Sequence, residues 1–355
     1  MEDHKTVEPL FEGPLDIIGD IHGERTALES LLRKLGYDDR GRHREGRKLV
    51  FVGDLVDRGP DSPGVLRTVI PLVESGNAQC VVGNHELNAL RDDEKQHRPG
   101  EGWWYGRDEP GYDSVVVEGQ EKERVFAPFL RRLPAAVERA DLRVVHACWH
   151  VPSIETVRTH QSVIDCFHQQ HQALVPELRD LRERAVRAIE ASGYELRDRR
   201  NPDRPIPMIP ELAEFDERNQ MGNAAKVVTS GIERTTDEPF WASGKWRMVE
   251  RLRWWDEFDG TPVVIGHYWR RYHTDRAGRH ESDADLFGEL AADRWLGRHR
   301  KVMCIDYSVG LRFQERKQGR ETSAFDNCLA ALRVPEWRLV FDDGRAALQL
   351  PEPGQ

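Results

Sequence analysis

The chain has 355 residues, and its 62 acidic and 52 basic side chains give a formal net charge of −10. This acidic balance argues against broad electrostatic binding to nucleic acid or to an anionic membrane. No stretch approaches the roughly 20 apolar residues of a membrane span, and the amino terminus lacks the basic and apolar regions of a signal peptide.

Strand-like and helix-like segments alternate from residue 14 to about residue 150. Apolar residues at helical spacing predict a helix over Thr26–Leu35 and another in the segment that follows Pro63. Short apolar runs predict buried strands at Leu15–Ile18, Leu49–Val52, Cys80–Val82 and Leu142–Val145. Because α/β folds place their sites where buried strands open into loops, the residues after these strands are candidates for a functional site.

The segment 150–245 differs in character from the residues around it. Leu174, Leu178 and Leu181 recur at helical spacing, and the amphipathic helix that they predict runs into a proline-rich loop at 201–210. We interpret this segment as a mainly helical cap insertion within a single domain of residues 1–355. Further strands are predicted near Val227–Val228 and at 262–266, 301–306 and 325–341.

Polar residues of three glycine-flanked loops, together with two later histidines, can hold two metal ions. Asp20 and His22 lie two positions apart after the first strand, and both can reach one ion. Asp54 follows the second strand, and its two carboxylate oxygens can bridge two cations. The predicted ligands of the second ion are Asn84, His146 and His267, which also follow apolar runs.

The mixture of oxygen and imidazole ligands indicates which metals suit the site. Such a set favours manganese, iron, zinc or cobalt over calcium or isolated magnesium. We predict two divalent ions, with manganese first and iron, zinc, cobalt and nickel as alternatives. Water that bridges two cations has a strongly lowered pKa, so it is a nucleophile near neutral pH.

Three further residues of these loops are predicted to act on the substrate. His85 follows Asn84 directly, so its side chain should face away from that metal and can serve as the general acid. Asp57 is the candidate partner for the other ring nitrogen of His85. Arg58 offers a planar pair of donors that suits phosphate oxygens.

The order of these motifs resembles that of a known family. Gly-Asp-x-His-Gly, Gly-Asp-x-Val-Asp-Arg-Gly and Gly-Asn-His-Glu, within residues 19–86, are similar to the motifs of calcineurin-like metallophosphoesterases. The similarity is to the PPP-type serine/threonine phosphatase branch, which includes bacterial diadenosine-tetraphosphate hydrolases and the phosphatase part of polynucleotide kinase-phosphatases. The resemblance implies an α/β (α+β) fold, a two-sheet β-sandwich flanked by helices with the site at the strand ends.

The resemblance also implies roles for individual residues. It places Asp20, His22 and Asp54 at one metal, and Asp54 again with Asn84, His146 and His267 at the other. It assigns His85 as the acid, Asp57 as its orienting partner and Arg58 to the phosphate. A second phosphate-binding arginine is expected before the last histidine motif, and the candidates are Arg234, which we favour, Arg247 and Arg270.

The substrate is less well defined by the sequence than the reaction. We expect hydrolysis of phosphomonoesters on nucleotides, small phosphoesters or phosphoproteins, by in-line attack of metal-bridging water. The alternative is a dinucleoside-polyphosphate hydrolase, in which Trp103 and Trp104 stack on a base. The same two tryptophans could instead form a satellite hydrophobic cluster under a long loop.

Two further expectations concern activity and location. A catalytically dead scaffold that binds phosphorylated partners is the less favoured alternative, since all ligands, the acid and Arg58 are present. The five cysteines form no C-x-x-C pair, a pattern that favours reduced thiols in a cytoplasmic protein. We therefore expect a cytoplasmic enzyme whose partner is its phosphorylated substrate, without membrane binding or strong binding to nucleic acid.

Overall fold

Two sheets and one separate hairpin contain the strands of the protein. The computed structural model describes residues 5–91, 103–105, 115, 117, 119–242, 244–272, 286–288 and 290–355. In chain order the strands are Val7–Pro9 (β1), Leu15–Ile18 (β2), Lys48–Phe51 (β3), Ala78–Cys80 (β4), Ala136–Glu138 (β5), Arg143–Val145 (β6), Glu233–Ala242 (β7), Lys245–Arg251 (β8), Val263–Ile265 (β9), Val302–Cys304 (β10), Ala330–Val334 (β11), Arg338–Phe341 (β12) and Leu348–Gln349 (β13).

The helices lie between these strands and in the segment that precedes the hairpin. In chain order they are Arg25–Leu35 (α1), Ser62–Glu74 (α2), Asn84–Leu90 (α3), Gly119–Glu121 (α4), Ala127–Arg132 (α5), Val151–Arg158 (α6), Val163–Ala191 (α7), Pro210–Met221 (α8), Ala224–Ser230 (α9) and Arg312–Lys317 (α10). The structure thus contains helices at both places where the early sequence predicts them, as α1 and α2.

The topology brings the carboxyl ends of several strands to the same edge. One sheet has the order β13-β12-β11-β2-β3-β4, in which β2, β3 and β4 are parallel. The other has the order β1-β5-β6-β9-β10, in which β6, β9 and β10 are parallel. Since parallel strands end at the same edge, the loops after these six strands are neighbours within each sheet.

Alternating side chains of the central strands fill two hydrophobic clusters. Val50 of β3 lies in a cluster with Val144 and Val264 of the other sheet, so this cluster forms the interior of the sandwich. Leu49 and Phe51, on the opposite face of β3, pack in the cluster that contains the apolar residues of α1 and α2. This period of two along the strand is what a sheet covered on both faces requires. The fold is therefore a mixed α/β arrangement of two main sheets flanked by helices.

The segment 150–245 contains α6 to α9 and the strand β7, and its residues contribute to different cores. Ile154, Phe167 and Val228 join the cluster under the main sheets. The second half of α7, the start of α8 and Met248 of the hairpin form a small separate core. The hairpin ends at Arg251, so the boundary expected at residue 245 falls inside it.

The prediction of a strand near Val227–Val228 is wrong, because these residues lie in helix α9. The side chain of Asn223 caps this helix by accepting a hydrogen bond from the Lys226 backbone N–H. Gly231, at a φ of 85°, follows its last turn. A short apolar run cannot distinguish a buried strand from a buried helix, and the cap and the glycine decide the outcome here.

Two other features concern the cysteines and the apolar character of the helices. All five cysteines are buried and carry free thiols. No helix within the described ranges is both long enough and apolar enough to cross a membrane.

Candidate metal and phosphate site

The loops that follow the parallel strands adopt an unusual backbone conformation. Non-glycine residues rarely adopt a left-handed φ, and such residues tend to cluster at functional sites. In this protein most of the described non-glycine residues at positive φ lie in these loops: His22, Asp54, Asp57, Arg58, His267, Trp269 and Ser308. These left-handed turns change the direction of the backbone directly after the strands, where the predicted site residues lie.

Asp54 lies at the centre of this convergence. Its Oδ2 atom is 3.6 Å from His22 Nε2, 3.3 Å from His146 Nε2 and 3.9 Å from His85 Nε2. Its Oδ1 atom accepts a hydrogen bond from the His85 backbone N–H at 3.0 Å. A carboxylate between imidazoles from three different loops has the position expected of a bridging ligand.

The imidazoles of His22 and His146 have a defined tautomer. His22 Nδ1 donates to the Val56 carbonyl at 3.1 Å, and His146 Nδ1 donates to the Val52 carbonyl at 2.7 Å. Because a carbonyl oxygen can only accept, each Nδ1 must carry a proton. In the neutral ring Nε2 is then the unprotonated nitrogen, and in both residues it faces Asp54. This second contact is how proteins orient histidines that bind metals.

Asn84 joins the other predicted ligands at the start of α3. Its Oδ1 atom lies 2.7 Å from His267 Nδ1 and 3.3 Å from His146 Nε2. Asp20 Oδ2 accepts from the His267 backbone N–H at 3.0 Å. The structure therefore brings all six predicted ligands together at one edge of the sandwich.

The electrostatics of the cluster suit bound cations. Burial, the Asp306 carboxylate and Asp54 raise the pKa of Asp20 well above its usual value. Burial acts to raise the pKa of Asp54 as well, but the imidazoles around it outweigh this and lower it well below its usual value. Burial, Arg251 and His146 lower the pKa of His267 well below its usual range, so this ring is neutral.

Unpartnered polar atoms provide a separate test of whether metals fit. Among the described residues, Asp20 Oδ1 and His267 Nε2 are buried without a hydrogen-bond partner. Buried polar atoms are normally satisfied, so such atoms in a cluster of carboxylates and imidazoles point to an ion. Two overlapping groups, His22–Asp54–His85 and Asp54–His146–His267, have ligand atoms within 4.8 Å of one another. The donor set therefore fits divalent metal binding, and Asp54 belongs to both groups.

His85 and Asp57 form a close pair beside these ligands. His85 Nδ1 lies 2.7 Å from Asp57 Oδ2, and both side chains are almost fully buried. Burial acts to lower the pKa of His85, but Asp54 and Asp57 outweigh it and the pKa is raised. The protonated form that a general acid needs is thereby favoured. Asp57 therefore lies within hydrogen-bond distance of the ring nitrogen for which it is the candidate partner, and its orienting role stays a prediction.

Arg58 contacts both His22 and His85. Its Nη1 and Nη2 atoms are 3.1 Å and 3.3 Å from His22 Nε2 and His85 Nε2. A guanidinium in this position can donate to the oxygens of a phosphate held between the two histidines. It also contributes, after burial, to the lowered pKa of His22.

Two buried acids that sequence reasoning did not single out support the ligands. Glu86 accepts backbone hydrogen bonds from Asp54, Leu55 and Gly83 at 2.8 to 2.9 Å, which fixes the turn that carries the bridging carboxylate. Asp306 accepts from the backbone N–H groups of Trp269 and Ser308. Glu86 was visible as the last residue of its motif. Asp306 was visible as an acid just after a buried strand.

A further arginine whose charge acts on the predicted ligands is Arg251, the last residue of β8. Its charge lowers the pKa of His267, second only to burial, and its guanidinium carbon lies 5.9 Å from the centre of the Tyr268 ring. The three arginines considered from sequence lie elsewhere. Arg234 is 62% exposed and pairs with Glu250 at 2.9 Å, and Arg247 pairs with Glu233. Arg270 is buried and donates to the carbonyls of Ala291, Arg294 and Cys304.

The two tryptophans considered for base stacking pack against each other. Trp103 is buried, contacts Phe126 and donates from Nε1 to the Val115 carbonyl at 3.0 Å. Trp104 is half-buried against the Trp103 ring. Lys122 Nζ lies 5.8 Å from the centre of the Trp104 ring. These contacts are those of a hydrophobic cluster, and the described contacts do not bring either ring to the metal ligands.

Comparisons with known proteins agree with this geometry. Residues 13–169 match the family model described as calcineurin-like phosphoesterase. A bis(5'-nucleosyl)-tetraphosphatase PrpE [asymmetrical] from Oceanobacillus iheyensis is 49% identical over 74 residues, which cover 20% of this chain and 30% of that relative. A symmetrical bis(5'-nucleosyl)-tetraphosphatase from Ralstonia nicotianae is 46% identical over 77 residues, which cover 22% of this chain and 24% of the relative. The match thus spans less than a third of each relative's length.

Two solved structures have similar chains over nearly their whole length. A protein serine/threonine phosphatase from Saccharomyces cerevisiae has a TM-score of 0.45 at 13% identity, covering 98% of this chain and 85% of that chain. A cold-active protein tyrosine phosphatase has a TM-score of 0.47 at 16% identity, covering 100% and 83%.

The site and the family match point to the same class of protein. A two-sheet sandwich with the predicted metal ligands at its strand ends is the arrangement that the motifs led us to expect. Residues 13–169, less than half of the chain, therefore resemble a calcineurin-like phosphoesterase domain.

Proposed function

We propose that the protein hydrolyses phosphate monoesters with the help of two divalent cations. The observation that carries the proposal is the Asp54 carboxylate, which lies within 4 Å of three imidazole nitrogens from separate loops. Asp20, His22 and Asp54 would hold one cation, and Asp54, Asn84, His146 and His267 the other. Manganese is our first choice, and iron, zinc, cobalt and nickel suit the same donors.

Two bound cations would supply Lewis acidity at the phosphate and would lower the pKa of a water molecule beside it. The protein's own residues bind and protonate the substrate. Arg58 donates to the phosphate oxygens from one side, and Arg251 contributes a second positive charge near His267. His85 gives its proton to the leaving oxygen, while Asp57 holds the ring by its Nδ1–H.

The substrates that we propose are small phosphomonoesters, nucleotides and phosphoproteins. Hydrolysis of a dinucleoside polyphosphate is the second candidate, and the similarity of a short part of the chain to the two tetraphosphatases favours it. A catalytically dead scaffold that binds phosphorylated partners is the least favoured, because His85 and Asp57 form a pair that suits proton transfer. We also propose that residues 150–245 cap the site, and that the enzyme works in the cytoplasm, where its buried thiols stay reduced.

The test is phosphate release by the purified protein with manganese added. An aryl phosphomonoester is compared with diadenosine tetraphosphate, for the wild type and for Asp54→Asn. The matched control is Asp203→Asn, which makes the same change on the exposed surface. We expect release from the monoester, loss of at least about 100-fold in Asp54→Asn and no loss in Asp203→Asn. Preference for the dinucleotide would support the second candidate, and equal rates in all three proteins would contradict both.

A further inference from the structure

Trp269 is a large aromatic side chain that the fold leaves on the surface. It follows His267 by two residues, and its side chain is 43% exposed, whereas its neighbours Tyr268 and Arg270 are buried. Among the described residues, the other large apolar side chains with comparable exposure are valines and a leucine. An exposed indole between two buried side chains indicates that something other than core packing fixes its position.

The backbone of Trp269 is held in this position by the site itself. Its φ is 55°, a left-handed value that costs a bulky residue on the order of 1 kcal/mol or more. The Trp269 backbone N–H donates to Asp306 Oδ2 at 2.9 Å, and the same carboxylate raises the pKa of the metal ligand Asp20. A buried acid close to the predicted metal ligand Asp20 thus fixes the strained turn that carries the indole.

The indole lies directly against the phosphate-binding arginine. The guanidinium carbon of Arg58 is 4.5 Å from the centre of the Trp269 ring, within the range of a cation–π contact. The same guanidinium reaches His22 and His85 with its two terminal nitrogens. One face of the ring thus lies against Arg58, while 43% of the side chain stays exposed. Arg58 contacts both this ring and His85, the proposed proton donor to the leaving group.

We propose that Trp269 is a specificity residue whose free face stacks on a planar aromatic group attached to the phosphate. The inference rests on the proposed function and narrows its substrate class to phosphates of aromatic alcohols and of nucleosides. An indole offers stacking area at little conformational cost and does not select one base over another. Trp103 and Trp104, which the sequence suggested for this role, are engaged in their own cluster.

The test compares three phosphomonoesters that differ only in the group carried by the phosphate. They are an aryl phosphate, a nucleoside 5'-monophosphate and glycerol 2-phosphate, each measured with manganese for the wild type, Trp269→Ala and Trp269→Phe. We expect Trp269→Ala to lose about tenfold in kcat/KM on the nucleotide, mainly through KM, the low end of what stacking on a base contributes. The aryl phosphate should lose several-fold, glycerol 2-phosphate less than about threefold, and Trp269→Phe should recover most of the loss.

A matched control separates this role from a structural one. Trp337→Ala removes a half-buried indole that also lies at a left-handed φ, 50°, in the turn between β11 and β12. Its ratio of nucleotide to glycerol phosphate activity should equal that of the wild type even if the protein is less stable. An equal loss on all three substrates in Trp269→Ala would overturn the proposal, since the ring would then act only by holding Arg58. A loss confined to the aryl phosphate would assign the site to aryl phosphates alone.

Binding measurements test the role of Trp269 separately from the proposed hydrolysis. Calorimetry with the manganese-loaded His85→Asn variant gives the affinity for the same three phosphates without turnover. We expect the nucleotide to bind more tightly than glycerol 2-phosphate, and adding Trp269→Ala should remove the difference. If the wild type turns over none of the three substrates but this binding preference is present, the proposed function fails and the inference stands. If turnover is present but the preference is unaffected by Trp269→Ala, only the inference fails.

Discussion

Replacement of Asp57 by asparagine tests the proton donor with little change in shape. Asp57 Oδ2 lies 2.7 Å from His85 Nδ1, and the two side chains are 5% and 1% exposed. An asparagine oxygen can still accept the ring N–H, but the negative charge that favours the protonated imidazole is gone. A hydrogen bond to a charged group contributes about 1.5–3 kcal/mol, and this corresponds to roughly 10- to 150-fold in rate.

The assay compares leaving groups that differ in their need for a proton. For an alkyl phosphate the departing oxygen must be protonated, so Asp57→Asn should lower kcat by about 10- to 150-fold. For a nitrophenyl phosphate, whose anion is stable without a proton, the loss should stay below about threefold. Equal losses on both substrates would refute the assignment of His85 as the acid.

The control is a neighbouring aspartate in the same loop. Asp61→Asn makes the same change at the residue that caps α2, where Asp61 Oδ1 accepts from the Gly64 backbone N–H at 2.8 Å. Its rates on both leaving groups should match those of the wild type, because a cap acts on stability and not on proton transfer.

Three further changes have defined outcomes. Arg251→Leu should raise KM for a phosphomonoester about tenfold, through loss of a charge near His267, whereas Arg234→Leu should leave KM unchanged. In Gly266→Ala the new methyl group would overlap Asp20 Oδ1, so metal affinity measured by competition with a chelator should fall at least about tenfold. Arg47→Met should lower the free energy of unfolding in urea by about 3–5 kcal/mol, because it breaks a buried ion pair with a carboxylate.

Each of these changes has an outcome that would count against its reasoning. A normal KM in Arg251→Leu would remove that arginine from the phosphate site. Gly344→Ala, where nothing lies within 4 Å of the added methyl group, is the control for Gly266→Ala, and equal metal affinities in both variants would contradict the crowding argument. Arg333 also pairs with Asp16. If the free energy of unfolding of Arg47→Met falls by less than about 1 kcal/mol, Arg333 alone is enough to compensate the charge of Asp16.

The sequence predicted the ligand cluster because local and topological rules agree there. Asp20, Asp54 and Asn84 each follow a buried strand, and parallel strands bring their ends together whatever the details of the packing. The same reasoning applies to His146 and His267, which follow β6 and β9. The roles assigned to these residues remain predictions until metal binding is measured.

Other features depend on contacts between distant parts of the chain. Arg251 could not be distinguished from Arg234 by spacing, because only the fold shows that the charge of Arg251 acts on His267 whereas Arg234 pairs with Glu250. Trp269 could not be told from Trp103, because only the fold decides which indole is buried. The helix at Val227–Val228 was missed because a short apolar run fits either kind of buried element.

The most direct test of the central claim is metal stoichiometry measured together with turnover. Chelator-treated protein is titrated with manganese, and bound metal and phosphate release from a monoester are followed for the wild type and Asp54→Asn. We expect about two ions per chain in the wild type, turnover that rises with the second ion, and loss of both in Asp54→Asn. Full turnover with one ion bound, or unchanged turnover in Asp54→Asn, would contradict a shared-carboxylate site with two metals.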